Sequence, residues 1–411
     1  MNDDIATPCK ACGFSAVRIT VDFGLQPISN RFLLTKSENE DKYPLVLGCC
    51  SKCGTVQLES LVPHSALAPK YDWIKYSEPE PHLDALVDTL VSLPGINKDC
   101  KILGVSYKDK STLDRLQKLG FTNIDQISIN SDLKIDDSYT AGIETIQHHL
   151  TKDTAKLIAA SRGTAKIVIA RHILEHAHNL SNFLAALKEL CCEDGYIVIE
   201  VPDEERALSK NDAIIAWEEH VIYFTPQTLR NFFTLHSSFV DRILSYSYPL
   251  EDSLVAIVQN KPKCASDELL SSRSLTKEIS RFESFTKAFT RDRNEYHAIL
   301  KKCKDDGVKI AAFGASHLTI KFINFYELSE LIEFIVDDST DKQSFRVPGS
   351  RLPIKPSSAL ISEGISLCLL GVNPANEENI IDSHKNFIDS GGKFLSIFKV
   401  SNLSVLPSNR H

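Results

Sequence analysis

Residues 9–13 read Cys-Lys-Ala-Cys-Gly, and residues 50–54 read Cys-Ser-Lys-Cys-Gly. In each stretch two residues separate the cysteines and a glycine follows, which is the spacing of a zinc knuckle. Gly13 and Gly54 leave room for each turn to close. Two unrelated cysteine pairs are the alternative, but the repeated pattern favours one closed, structural zinc site. The predicted ligands are Cys9, Cys12, Cys50 and Cys53.

The composition of the 411-residue chain limits the classes of protein to which it can belong. A hydrophobic fraction of 43% and a charged fraction of 24% are typical of a globular protein, and this length predicts two or three domains. The formal net charge of −8 argues against binding to nucleic acid.

The sequence carries no pattern of a membrane or exported protein. No window holds the ~18 apolar residues that a membrane span needs, and the acidic start at residues 1–4 does not resemble a signal peptide. Eleven cysteines, an odd number, indicate reduced thiols and a metal rather than disulfides. We therefore expect a cytoplasmic protein that contacts neither nucleic acid nor membrane.

Apolar runs alternate with helical patterns through the middle of the chain. Buried strands are predicted at residues 102–105, 167–170, 196–201 and 254–258. Helical patterns of Leu and Phe separate them, so the sequence predicts a parallel sheet covered on both faces by helices.

A second α/β pattern follows a polar linker. Residues 261–274 are polar and lead into a helix predicted at 275–303. The second α/β pattern begins at residues 308–316, and further strands are predicted at 332–336, 366–370 and 393–397. The sequence therefore predicts two separate α/β sheets.

Several stretches, taken in order, resemble one known family. They are residues 25–32 (Leu-Gln-Pro-Ile-Ser-Asn-Arg-Phe), 53–58, 170–203, 219–225 (Glu-His-Val-Ile-Tyr-Phe-Thr) and 314–316. Together they are similar to the S-adenosylmethionine-dependent C-methyltransferases that modify nucleotide-linked keto-deoxysugars. The resemblance implies a zinc-binding module at 1–70, a Rossmann-like class I methyltransferase core at 71–260, and a linker helix with a second Rossmann-like domain at 261–411.

The resemblance implies a reaction in which a base removes a proton from the carbon beside a ketone, and the enolate then attacks the methyl group of the cofactor. His220 is the candidate base, and Glu219 would raise its basicity. His176 would bond the sugar or the enolate oxygen, and Tyr76 and Tyr223 would donate to that oxygen. The alternatives are a loop-capping role for His220, a structural role for His176 and packing roles for the tyrosines.

The cofactor loop implied by the resemblance departs from the family pattern, Gly-x-x-x-Gly with Asp before the second glycine. Ser106 and Lys110 replace the glycines, and Asp109 is kept. Because a Cβ would intrude on the cofactor, we expect weaker binding of S-adenosylmethionine than a glycine loop allows. An acidic residue for the ribose is not evident in residues 127–132. The cofactor residues implied are Gly104, Ser106, Asp109, Arg171 and His172.

Residues 172–176, His-Ile-Leu-Glu-His, also fit the motif of inverted zinc proteases. That motif works on a helix, whereas here it directly follows a predicted strand, which argues against a protease.

The predicted function is therefore methyl transfer to carbon on a nucleotide-diphosphate keto-deoxysugar by a monomer or homodimer. Two alternatives remain open. The chain is a keto-sugar isomerase or epimerase that has lost the methyl donor, or a non-catalytic binding subunit.

Overall fold

The structure, a computed structural model, describes residues 7–71, 74, 78–135, 142–262 and 271–406. By its internal contacts the chain forms two compact units. The first comprises the chain up to Ile19, Gly48–Glu205 and Glu219–Ser280, and the second comprises Thr20–Leu47, Arg206–Glu218 and the chain from Arg281 onward. The domain boundaries at 70 and 260 stay a prediction.

A five-stranded sheet contains both knuckles. Its strands lie in the order Thr7–Pro8, Ser15–Pro27, Lys42–Cys50, Val56–Leu58 and Ile222–Tyr223. The second and third strands are longer than the short strands typical of a zinc module, and their outer parts belong to the second unit. We call Val56–Leu58 the knuckle strand because it directly follows the second knuckle. The sheet ends on Ile222–Tyr223, which comes from much later in the chain.

The core of the first unit is a six-stranded sheet. Its strands lie in the order Ser238–Tyr246, Asp252–Pro262, Cys191–Asp203, Ala165–Arg171, Ile102–Gly104 and Ile124–Gln126. The last four pair in parallel, as predicted. The expectation of a wholly parallel sheet is wrong, because the first two strands are antiparallel. The short link between them allows a hairpin, whereas a parallel pair needs a crossover of a dozen or more residues.

Helices cover this sheet on both faces. They are His64–Leu67, Leu83–Val91, Lys110–Lys118, Ile143–His149, Lys152–Arg162, Leu180–Leu190 and Pro226–Leu235, while the helix Glu205–Ser209 passes into the second unit. Leu180–Leu190 shows why they form: the Asn179 side chain caps its first turn, and Phe183, Leu184 and Leu187 share a buried face. The apolar residues of the two sheet faces form two separate clusters.

The helix Ser272–Asp305 runs from the first unit into the second. The sheet of the second unit is wholly parallel, and its strands lie in the order Ile354–Lys355, Ile335–Val336, Ile310–Phe313, Leu367–Leu370 and Lys393–Ser396. Its helices are His317–Phe325, Ala359–Ser362, Glu377–Ser383 and Lys385–Asp389. This matches the second α/β pattern read from the sequence.

Within the described ranges, no helix is long and apolar enough to cross a membrane.

The two knuckle glycines provide a matched test of the turns. Both have positive φ, +76° at Gly13 and +72° at Gly54, but only at Gly54 would an added Cβ meet a neighbour, Glu278 Cβ at 2.8 Å. We expect Gly13→Ala to lower the free energy of unfolding by about 1 kcal/mol through the left-handed backbone alone. Gly54→Ala should cost about 1–3 kcal/mol more, because it also overpacks the site. Urea unfolding of the zinc-loaded protein measures both, and equal losses would contradict this packing.

Candidate functional site

The four predicted zinc ligands lie together. Their sulfur atoms are all within 4.8 Å of one another, and the Cys9–Cys53 and Cys12–Cys50 sulfurs are 3.5 and 3.7 Å apart. Four sulfurs bound tetrahedrally at the usual ~2.3 Å from zinc would stand about 3.8 Å apart. The residues therefore fit a zinc ion with little movement. Cys49 is turned away, with its sulfur 3.7 Å from the carbonyl oxygen of Gly54.

The electrostatics of the four thiols also favour a bound cation. Hydrogen bonds from Cys12 and the other two thiols lower the pKa of Cys50, whereas the pKa values of Cys9 and Cys53 are raised, first by their contact with Cys12. The four sulfurs thus resist carrying four negative charges side by side. A bound Zn²⁺ removes this conflict, and because the set leaves no open position, its role is structural.

The knuckles are fixed to the core of the first unit. The amide of Lys10 donates to Gln57 Oε1 at 2.7 Å, which ties the first knuckle to the knuckle strand. His236 Nε2 lies 3.1 Å from the carbonyl oxygen of Ala11, and Asn231 donates to that of Cys53 at 3.5 Å. Both residues lie on or next to the helix Pro226–Leu235. The zinc site is therefore clamped to the helix that follows residues 219–224.

Residues 219–224, the base segment, are held by backbone hydrogen bonds on two sides. The knuckle strand pairs antiparallel with Ile222–Tyr223, and the amide of Leu58 donates to the carbonyl oxygen of Val221 at 2.9 Å. The amide of Val221 donates in turn to the carbonyl oxygen of Glu175 at 2.7 Å. His220 is therefore fixed between the zinc module and the loop that carries His176.

Two histidines meet at this point. The rings of His176 and His220 are 4.8 Å apart between centroids and nearly perpendicular, and both residues are about 7% exposed. Carboxylates surround them. One carboxylate oxygen of Glu175 and one ring nitrogen each of His176 and His220 lie within 4.8 Å of one another, and the same holds for Glu144, His176 and Glu219. The structure thus brings the predicted residues Glu219, His220 and His176 together.

The state of His176 follows from its partner. Burial lowers the pKa of His176 to about 4, so the ring is neutral near pH 7. Its Nδ1 lies 2.6 Å from Glu144 Oε1. Because a carboxylate only accepts, Nδ1 carries the proton and Nε2 carries the lone pair. In this state His176 accepts a hydrogen bond and does not donate one to an enolate oxygen.

The two predicted tyrosines differ. Tyr223 is 1% exposed, and its ring centroid is 6.2 Å from that of His220, so it packs beside the base. Tyr76 lies outside the described residues.

A buried ion-pair network lies next to the histidines, centred on Glu200, which is wholly buried. Arg171 Nε lies 2.5 Å, His172 Nε2 3.1 Å and Ser253 Oγ 2.6 Å from its carboxylate. Burial raises the pKa of Glu200, but the cations His172 and Arg171 outweigh it and hold the pKa well below its usual range. Removing one partner from such a pair costs about 3–5 kcal/mol, so the network is rigid.

His172 links this network to the histidine cluster. Burial lowers its pKa, but Glu78 and Glu200 outweigh that effect and raise the pKa well above its usual value. Its Nδ1 lies 3.5 Å from Glu175 and 4.0 Å from Glu78, and its backbone φ is +47°, a strained value for a non-glycine residue. Lys108 completes the chain of contacts, 2.7 Å from Glu78.

Side-chain contacts fix the predicted cofactor loop at the two positions where glycines were expected. Ser106 is buried, and its hydroxyl caps the amide of Lys108 at 3.2 Å. Lys110 is largely exposed and pairs with Asp114 at 2.8 Å, one helical turn on. Neither residue has a positive φ, and Asp109 accepts from the amides of Val105, Ser106 and Arg171 at 2.7–2.8 Å. The backbone path therefore fits a cofactor loop anchored by Asp109.

The other predicted cofactor residues support this loop. The guanidinium of Arg171 donates to the carbonyl oxygen of Lys108 at 2.8 Å, and the side chains of Arg171 and His172 face Glu200. Gly104 ends the strand before the loop, and an added Cβ would meet Leu113 at 2.8 Å. In the turn beyond the next strand, Ile124–Gln126, Asp132 accepts from the amide of Ser128 and pairs with Arg162. Its carboxylate is therefore committed to the protein and not directed to a ribose.

Reasoning from the sequence missed several residues of the site. Glu200 stands in an otherwise apolar strand, and a charge in that setting was a usable signal. Glu78 stands two residues after the candidate Tyr76 in the sequence, and that closeness was a usable signal. Glu144 carried no signal, because one glutamate on a short helix does not show which histidine it will meet.

Comparison with known proteins defines the class. A zinc binding domain matches residues 9–67, a methyltransferase domain matches residues 86–237, and a C-methyltransferase C-terminal domain matches residues 264–398. In this order they have the architecture that the sequence resembles, which confirms the resemblance. The chain therefore combines a zinc binding domain, a methyltransferase domain and a C-methyltransferase C-terminal domain, which is the architecture of a methyltransferase. No curated protein matches the sequence.

Solved structures show more distant likenesses. A Burkholderia thailandensis 1,6-didemethyltoxoflavin N1-methyltransferase with bound S-adenosylhomocysteine is 10% identical over 44% of this chain and 77% of its own, with a TM-score of 0.29. A Synechocystis magnesium protoporphyrin IX methyltransferase, also with S-adenosylhomocysteine, is 12% identical over 45% and 89%, with a TM-score of 0.30. An Aquifex aeolicus methyltransferase is 13% identical over 43% and 93%, with a TM-score of 0.28. None of these likenesses bears on the substrate.

The zinc site can be tested with two neighbouring cysteines. Cys53→Ser should lose most of the bound zinc and unfold the knuckles, because the protein then offers three thiolates for a four-coordinate ion. Cys49→Ala, the control at an equally buried cysteine outside the cluster, should keep one zinc per chain. Metal analysis of protein prepared without chelator measures both. Equal zinc content in the two variants would show that these sulfurs do not hold the metal.

Proposed function

We propose that this chain transfers a methyl group from S-adenosylmethionine to a carbon beside the ketone of a nucleotide-diphosphate keto-deoxysugar, with His220 as the base. The proposal rests mainly on one observation: His220 is buried in direct contact with a second histidine, on a segment fixed by backbone bonds on both sides. A base held in this way keeps its alignment to one carbon–hydrogen bond, which is what proton abstraction requires.

The neighbouring residues have distinct parts in this proposal. Glu219 lies in the same cluster and stabilises the imidazolium that forms when His220 accepts the proton. His176, with its proton on Nδ1 and held by Glu144, accepts a hydrogen bond from a sugar hydroxyl and so orients the ring. Tyr223 packs against His220 and limits its rotation. Tyr76 remains the proposed donor to the enolate oxygen.

The loop after Gly104 is the proposed place for the cofactor. Asp109 anchors it to Arg171, and Ser106 and Lys110 turn their side chains to a cap and to an exposed ion pair. When bound, S-adenosylmethionine supplies an electrophilic methyl group. Arg171 and His172 would act as positioning residues, since both face Glu200.

One observation favours a second candidate function. Asp125 in the strand Ile124–Gln126 and Asp132 beyond it both pair with Arg162, so a ribose would lack its usual acidic partner there. If the cofactor does not bind, the same base would still enolise a keto-sugar, and the chain would act as an isomerase or epimerase.

An isotope-exchange experiment tests the proposal. A nucleotide-diphosphate keto-deoxysugar incubated in heavy water with the protein should exchange a carbon-bound proton beside its ketone, as followed by NMR. His220→Asn should slow the exchange by roughly 10²-fold or more, because the amide cannot accept the proton. His148→Asn, a change at an exposed histidine, is the control and should keep the wild-type rate.

The methyl donor separates the candidates. Adding S-adenosylmethionine should convert exchange into methylated product if the proposal holds. Exchange without methylation, and no heat of cofactor binding by calorimetry, selects the isomerase. If neither the wild type nor His220→Asn catalyses proton exchange in any keto-sugar nucleotide of a broad panel, the chain is a binding subunit.

A further inference from the structure

Glu175 is an unusual residue within the histidine cluster. It is 2% exposed, and neither oxygen of its carboxylate accepts a hydrogen bond from any described residue. The nearest cation is His172, whose Nδ1 lies 3.5 Å away, beyond good hydrogen-bond distance. With its nearest cation at this distance and no hydrogen bond, the buried carboxylate is incompletely paired, which costs several kcal/mol, so Glu175 is suited to bind a further cation.

The partners of Glu175 within the cluster are two imidazoles. Its donor atom and those of His176 and His220 lie within 4.8 Å of one another. Around a metal bound at ~2.0–2.2 Å, neighbouring ligand atoms stand roughly 3.0–3.5 Å apart, so small side-chain rotations would bring the three to one ion. His176 donates from Nδ1 to Glu144, so Nε2 is the nitrogen that would bind the ion, and this is the carboxylate–histidine–metal arrangement.

The charge around the cluster favours a divalent ion. Five carboxylates either belong to the cluster or pair with His172 beside it. They are Glu78, Glu144, Glu175, Glu200 and Glu219. The basic groups are Lys108, Arg171, His172 and His82, whose Nε2 lies 3.0 Å from Glu200. The carboxylates outnumber these basic groups, which favours a bound cation. Burial first, and then Glu219 and Glu78, raise the pKa of the nearby Tyr107 to about 12.

We propose that Glu175, His176 and His220 bind one divalent transition-metal ion, at a second site separate from the four cysteines. Two imidazoles and one carboxylate suit zinc, cobalt, nickel or iron better than magnesium or calcium, which prefer oxygen ligands. The sequence motif at residues 172–176 contributes Glu175 and His176, but the third ligand comes from the base segment and not from the motif.

A consequence for activity rests on the proposed function. While the ion is bound, the lone pair of His220 is committed to the metal, so His220 is not available to accept a proton. The ion would therefore act as a reversible inhibitor, and the abundance of free transition metal would regulate the enzyme.

Cobalt titration tests the site directly. The zinc-loaded full-length protein, without an affinity tag, is titrated with Co²⁺ and followed by visible absorption and metal analysis. We expect one cobalt per chain with weak d–d bands, added to the retained zinc and without the intense thiolate-to-metal band. Glu175→Gln and His220→Asn should each weaken this binding at least tenfold, because each removes one of three ligands. Glu175→Gln is nearly isosteric and removes a buried charge, so folding is not at risk.

His148→Asn is the control, because His148 stacks on His64 at 3.6 Å and is an obvious competing site. Loss of the cobalt signal in this variant, unchanged binding in Glu175→Gln, or a wild-type protein that takes up no second ion would each overturn the proposal. The two proposals fail separately. If the protein binds cobalt but catalyses no proton exchange even when assayed without the second ion, only the proposed reaction is removed. Proton exchange in a protein that takes up no cobalt removes the metal site alone.

Discussion

The pairing of the knuckle strand, Val56–Leu58, with Ile222–Tyr223 is the constraint on which the candidate site depends. Zinc fixes the two knuckles, the second knuckle leads directly into the knuckle strand, and that strand holds the segment that carries His220. A short strand of two residues has little stability of its own. Its position is therefore set by partners on both sides, the zinc module and the loop at Glu175. In this account the metal performs no chemistry but determines where the base stands.

The second feature of the site is a dense buried charge network. Glu200 gathers Arg171, His172 and Ser253, while Asp109 ties the cofactor loop to the backbone of Arg171. Buried charges are costly unless paired, and a network of this kind sets a single arrangement more than it adds stability. Glu175 is the member whose carboxylate accepts no hydrogen bond from a described residue, and it lies against the two histidines. The cofactor loop, the base and the unsatisfied carboxylate thus belong to one electrostatic system.

The sequence predicted the repeated patterns well. The two knuckles and the alternating strands and helices of both α/β parts came from motifs and periodicity, whereas placing Glu219, His220 and His176 in one site came from the family resemblance. Prediction from the sequence failed for contacts between residues that are far apart in the chain. The antiparallel edge at Ser238–Tyr246 was missed, since its exposed, mixed residues show no clear alternation. Glu144 was invisible because its role comes from a contact 32 residues away. The side-chain directions of Ser106 and Lys110, which decide whether they crowd the cofactor, follow from caps and ion pairs that only coordinates show.

Hydrogen exchange with and without zinc tests the central claim most directly. If the zinc module positions the base, removing zinc with a chelator should speed exchange at the amides of Leu58, Val221 and Tyr223 together with the knuckles. The amides of the strands Ala165–Arg171 and Cys191–Asp203 should stay protected, because their partners lie in the six-stranded sheet. Faster exchange confined to residues 9–54, with Val221 and Tyr223 unchanged, would contradict the account.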